Sequence, residues 1–113
     1  MAADHDPAAF RQLENRRRLA LDLIRRDATV GTEWTADGCG YSVAVLQDVE
    51  DPDLLRLVWY DDRGPSGHTT KQFSEIAEEI VGHFGATVRR CDGEFQKVVM
   101  ALAEKGRADG GTD

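Results

Sequence analysis

The sequence predicts an α+β domain, and three observations carry the prediction. Phe73, Ile76, Ala77, Ile80, Val81 and Phe84 recur at the spacing of one helix face. Three runs, TVGTEW (29–34), YSVAVLQ (41–47) and LLRLVWY (54–60), are rich in β-branched and aromatic residues. The segments between them, TADGCG and DVEDPD, hold Gly, Asp and Pro and are short enough for hairpins, so a three-stranded antiparallel meander is the economical arrangement.

The elements follow in order. Asp6 offers an N-cap and Pro7 a first helical residue whose missing N–H costs nothing, so a helix is expected from Pro7 to about Asp27. Phe10, Leu13, Ala20, Leu21 and Ile24 share one face of it, with the stem of Arg17 passing through. Leu19 and Leu23 fall on a second flank beside Arg16, an apolar pair with a polar rim that predicts a homodimer contact; packing under the last helix through Val99 or Leu102 is the competing expectation. After the meander, Thr69 and Gln72 fit a capping box for a second helix that starts near Thr70 and ends at Gly85 as a left-handed cap. Its Phe73, Ile76, Ile80 and Phe84 are expected against Val43, Val45, Leu57 or Trp59. TVRRC (87–91) reads as a short edge strand, and Asp92-Gly93 turns the chain into a C-terminal helix carrying Phe95, Val98, Val99 and Leu102. The helices are expected on one sheet face. Residues 1–6 read as a flexible N-terminus, 7–105 as a single domain and 106–113 as a disordered tail.

Composition narrows the function classes. Fourteen Lys and Arg stand against twenty-one Asp and Glu, a net charge of −7. The balance is uneven: residues 1–27 hold six Arg and five acids (+1), the remainder eight basic and sixteen acidic residues (−8). An acidic body repels nucleic-acid phosphates, because such binding depends on Lys and Arg displacing condensed counterions. Two distant cysteines, Cys39 and Cys91, make no disulfide framework, and with no leader of charged-then-apolar type the expected location is the cytoplasm. Apolar runs fall far short of the roughly 20 residues that span a bilayer, so no membrane partner is expected.

YDDRGPSGHTTKQF (60–73) comes nearest to a motif. A phosphate loop of Walker type counted from Gly64 requires Gly and Lys at 69 and 70, where the chain has Thr69 and Thr70. Turn chemistry that stops a strand and starts a helix explains the same residues. Cys39, His68, His83 and Cys91 lack the closely spaced ligand pair of a zinc site, so neither metal nor cofactor is expected. Asp61 and Asp62, adjacent on a strand, point to opposite faces. Asp62 with His68 is spaced for an acid/base couple across the turn, yet no nucleophile or oxyanion donor is recognisable beside them. In the first helix, Arg11, Arg18 and Arg25 align, but Glu14 with Arg18 and Asp22 with Arg26 are spaced to pair with them.

These features predict a non-catalytic protein–protein interaction protein: an adaptor, chaperone-like subunit or inhibitor that covers another protein. Within that class fits an acidic antagonist of the kind phages encode, competing with nucleic acid for a basic surface. Its carboxylates are Asp48, Glu50, Asp51 and Asp53 in the second hairpin turn and Glu75, Glu78 and Glu79 on the second helix, with Arg16, Leu19 and Leu23 as a further contact. The alternatives are a small enzyme or ligand-binding domain centred on the 61–70 loop through Asp62, His68 and Thr69, and a nucleic-acid-binding domain using the Arg-rich first helix. Over residues 7–105 the order of elements, size and acidity resembles the small chaperones of type III secretion. That resemblance implies a homodimer binding an extended segment of another protein and assigns no residues.

Overall fold

The computed structural model describes residues 6–110, with side chains to Arg107. The chain is α+β, with three α-helices and a five-stranded antiparallel sheet in the order β4-β3-β2-β1-β5. Helix α1 spans Pro7–Asp27, followed by β1 (Glu33–Ala36), β2 (Ser42–Gln47), β3 (Leu54–Asp61) and β4 (Gly64–Gln72). A short 3-10 turn (Phe73–Glu75) leads into α2 (Ile76–Phe84), a second such turn (Gly85–Thr87) into β5 (Val88–Arg90), and α3 spans Glu94–Gly110. Asp6 caps α1 as expected, its carboxylate accepting from the Ala8 N–H at 3.0 Å.

Strand alternation builds a one-sided core. Trp34, Ala36, Val43, Val45, Leu55, Leu57 and Trp59 point to one face, where they meet Ala20, Ile24 and Ala28 from the end of α1 and Ile76, Ala77, Ile80, Val81 and Phe84 from α2. The opposite face buries Glu33, Ala44, Val58 and Tyr60, and α3 lies across it, with the Phe95 ring 4.9 Å from that of Tyr60. The molecule thus has three layers, with helices on both sheet faces rather than one. Leu19 and Leu23 are consequently not under α3: Leu23 packs against the α1–α2 core, and Leu19 is 67% exposed.

The sheet has one strand more than the predicted meander. Residues 64–72 pair with β3 along its whole length, from Asp61↔Gly64 to Leu54↔Gln72. The turn is closed by the Asp61 carboxylate, which accepts from the Arg63 N–H at 2.8 Å, and by Gly64 at φ 125°. GPSGHTTKQ is an edge strand; its Gly, Pro and polar side chains suit an edge that must not pair further and conceal it from a hydrophobicity reading. Helix α2 therefore starts later than Thr70, and the carboxylate bridging the helix entry is Glu75, accepting from the Gln72 N–H at 3.3 Å, in place of a Thr69–Gln72 box. Phe73, expected in the core, is 53% exposed. The first strand is Glu33–Ala36, not 29–34, because Thr29–Thr32 form a turn with Gly31 at φ 98°. Helix α3 continues through Gly110, past the expected start of a disordered tail, while residues 111–113 and 1–5 lie outside the described residues.

The apolar stripe of α1 is only half used. Ala20 and Ile24 are buried, but every residue from Pro7 to Leu19 is exposed, including Phe10 (64%) and Leu13 (60%) of the same stripe. Thirteen helical residues, about 20 Å at 1.5 Å per residue, thus project as an arm beyond the core. The radius of gyration, 17.4 Å, exceeds the roughly 13 Å of a compact chain of this size accordingly.

Candidate functional site: an acidic end, a basic arm and a cleft

Leu54 faces Gln72 across the β3–β4 ladder, so the β2–β3 turn and the Phe73–Glu75 turn leave the sheet side by side at one end. Glu50, Asp51, Asp53 and Glu75 are exposed there, and Val49 (84% exposed) and Phe73 stand among them. Asp51 carries part of the turn, accepting from the Asp53 N–H at 3.0 Å. Asp48 has a structural role instead: it is buried, accepting from the Asp51 N–H at 2.9 Å and from Arg56 at 3.0 Å. The Asp51 N–H, with Arg56 beside it, holds the Asp48 carboxyl below its usual range. Glu78 and Glu79 are likewise engaged, Glu78 with Arg25 (2.8 Å) and Arg17 (3.7 Å), Glu79 with His83 (3.3 Å) and Lys71 (3.5 Å). Of the seven carboxylates singled out from the sequence, four remain free of ion pairs among the described residues, and all four lie at this end.

The arginines of α1 also differ from expectation. Neither Glu14–Arg18 nor Asp22–Arg26 forms an ion pair; Arg26 turns to Asp27 at 3.2 Å. Among the described residues Arg11, Arg16 and Arg18 touch no carboxylate, leaving the arm (7–19) with four Arg and one Glu, +3. Arg16 and Leu19 meet Leu23, Ala20, Ala86 and Val88 around a shallow depression at the α1–β5 edge.

A cleft of about 310 Å³ opens between the start of α3 and the β1–β2 and β3–β4 turns; Tyr60, Asp61, Asp62, Arg89, Cys91 and Glu94 are among its lining residues. Most of its polar groups are engaged internally. The Tyr60 hydroxyl donates to Glu33 at 2.7 Å, Asp61 binds Arg63, Arg89 binds Asp37 at 2.9 Å and Glu94 lies 3.5 Å from Lys97. Burial, reinforced by the Glu33 carboxylate, pushes the Tyr60 phenol well above its ordinary value. Burial also raises the Cys91 thiol, against the opposing hydrogen bond with Tyr60. A protonated thiol is a poor nucleophile. Among the described residues no histidine lines the cleft: His68 pairs with Val58, which lies four residues and about 13 Å of strand from Asp62. The structure thus separates the expected Asp62–His68 couple. Thr69 faces Leu57 on β3, with its hydroxyl buried and unpartnered.

Glu33 is the feature that sequence reasoning missed. Its buried carboxylate accepts from Tyr60, from the Gly93 N–H at 2.9 Å and from the Phe95 N–H at 2.6 Å, satisfying the open amides at the start of α3 from a distant strand. Asp92 returns the contact, accepting from the Glu33 N–H at 2.9 Å. No local motif announces such a cap, because donor and acceptor lie about sixty residues apart. The exposed Val49 and Phe73 were also missed, although a valine within an otherwise polar turn, DVEDPD, was a signal.

Cys39 lies in the β1–β2 turn against the core, His83 stacks on Trp59 with ring centroids 4.4 Å apart, and Cys91 lines the cleft; the candidate ligands do not converge, and no metal-binding cluster exists among the described residues. None of the described helices is long and apolar enough to cross a membrane. No protein family, curated protein or solved structure matches the chain.

Proposed function

We propose that this is a non-catalytic cytoplasmic interaction protein that covers a basic, partly apolar surface of another protein with the acidic end of its sheet. One observation carries the reading: Glu50, Asp51, Asp53 and Glu75, in two groups far apart in sequence, come to one end of the sheet with no ion-pair partner among the described residues, and the same end exposes two apolar side chains, Val49 and Phe73. Apolar anchors inside a charged rim are the arrangement by which interfaces gain affinity at the centre and steering at the edge. An inhibitor that displaces nucleic acid from a basic site, or an adaptor that docks on one, uses the same chemistry.

The test is capture from native extract with three baits: the unaltered chain, Glu50→Lys with Asp53→Lys, and Asp62→Ala with Glu94→Ala. The reading expects a basic protein retained by the first and third baits, released by salt and absent from the second. Retention by the second bait and loss from the third would reverse the assignment. That outcome would favour the second reading, ligand binding in the cleft beside the β3–β4 turn, which its volume alone supports.

A further inference from the structure

We propose that the acidic end receives the basic α1 arm of a second copy of this chain, in a reciprocal two-fold pair. The inference rests on the proposed reading of that end and names a partner for it.

The two surfaces match in charge and in apolar pattern. The arm carries Phe10 and Leu13 on one stripe, with Arg11 and Arg18 to one side and Arg16 to the other at the 100° step of a helix. The acidic end carries Val49 and Phe73 between Glu50, Asp51, Asp53 and Glu75. Neither set has ion-pair partners among the described residues. Each therefore offers unpaired charges of one sign around two exposed apolar groups, and the signs are opposite.

Geometry directs the arm to another molecule. Asp27 feeds through the 29–32 turn into β1, where Thr32 and Gly31 bond to Val45 at the same sheet end as the β2–β3 turn. Arg17 reaches Glu78 of α2 at 3.7 Å, but Phe10, Leu13, Val49 and Phe73 are all exposed and Arg11, Arg16 and Arg18 meet no carboxylate among the described residues, so the arm is not seated on the acidic end of its own chain. Two arms pairing with each other would set +3 against +3, whereas an arm on an acidic end joins opposite charges. A reciprocal pair makes that contact twice and closes, leaving no free arm to add further copies.

The experiment is sedimentation of the full chain and of two charge-reversed variants, in low and high salt. The unaltered chain should be a dimer in low salt that dissociates in high salt. Variant one reverses the arm (Arg11→Glu, Arg16→Glu, Arg18→Glu); variant two reverses the acidic end (Glu50→Arg, Asp53→Arg, Glu75→Arg). Each alone should associate about a hundredfold more weakly or worse. Mixed together they should form a heterodimer, because each arm then meets an end of opposite charge. Circular dichroism of each variant confirms the fold. A monomeric unaltered chain overturns the proposal, as does a fully dimeric variant two, which would show arm-to-arm pairing, or nucleic acid co-sedimenting on the arm in place of a second copy. Because variant one keeps the acidic end, its capture of a basic partner persists if only the self-association is wrong and vanishes if the reading of that end is wrong.

Discussion

Glu33 ties the two faces of the molecule together with one side chain. It stands on β1 next to Trp34 of the core, yet its carboxylate points to the other face and closes the α3 start through Gly93 and Phe95. A buried carboxylate is stable only where donors surround it, and here three do so. Glu33→Ala leaves two amides without partners and the Tyr60 hydroxyl with only the Cys91 sulfur, and should cost about 2–4 kcal/mol in chemical denaturation. Amide exchange at Gly93 and Phe95 should accelerate more than exchange in β2. Equal acceleration throughout would make Glu33 an ordinary core residue rather than a cap. The neighbouring Tyr60 and Cys91 give the same region a pH dependence. Both groups are held neutral above their ordinary values of 10.0 and 9.0, so the folded chain retains protons that the unfolded chain releases. Their contribution is complete below the unfolded values and declines as pH rises through them. Stability should therefore fall on titration above 9.0, and Tyr60→Phe should flatten the part of the slope above 10.0.

At the scale of elements, α2 closes the core and the β3–β4 hairpin positions it. Ile80 is fully buried among strand residues, and Ile80→Ala should cost about 2–5 kcal/mol; a loss below about 0.5 kcal/mol would place it at a surface. Gly64 does two things: it adopts φ 125° at the hairpin, and a Cβ there would lie 2.8 Å from Leu102 of α3. Gly64→Ala should destabilise by more than about 1 kcal/mol, and adding Leu102→Ala should recover only the steric part, because the backbone strain remains. Full recovery would mean that the conformation costs nothing. Helix α2 was legible because its one buried face writes its period into the sequence, β2 and β3 because of their β-branched and aromatic runs, and the start of α1 because Asp6 and Pro7 signal a cap. Strand β4 was not: an exposed edge strand has no buried face to alternate, and its Gly and Pro resemble a loop. The position of α3 was not legible either, since it depends on which sheet face Tyr60 and Glu33 occupy. Glu50, Asp51, Asp53 and Glu75 were recognisable as acidic, but their convergence required the β3–β4 register that places Leu54 opposite Gln72.

At the scale of the whole molecule, charge is divided between a projecting arm of +3 and a body that is strongly acidic. The core explains the last two turns of α1 and α2, while the arm and the acidic end contribute little to folding, as their exposure requires. In high salt, where the proposed pair is dissociated, Phe10→Ser with Leu13→Ser should therefore leave thermal stability nearly unchanged, since neither side chain is buried in the single chain. Docking of basic helices on the end formed by Val49–Asp53 and Phe73–Glu75, as proposed, rather than in the cleft, is open to direct observation. The most direct measurement is the amide NMR spectrum of the full chain during titration with a synthetic peptide of residues 7–19, in low salt. Shifts should concentrate at residues 49–53 and 73–75 and be reversed by salt. Shifts concentrated at Asp61, Asp62 and Cys91, or none at any residue, would contradict docking at that end.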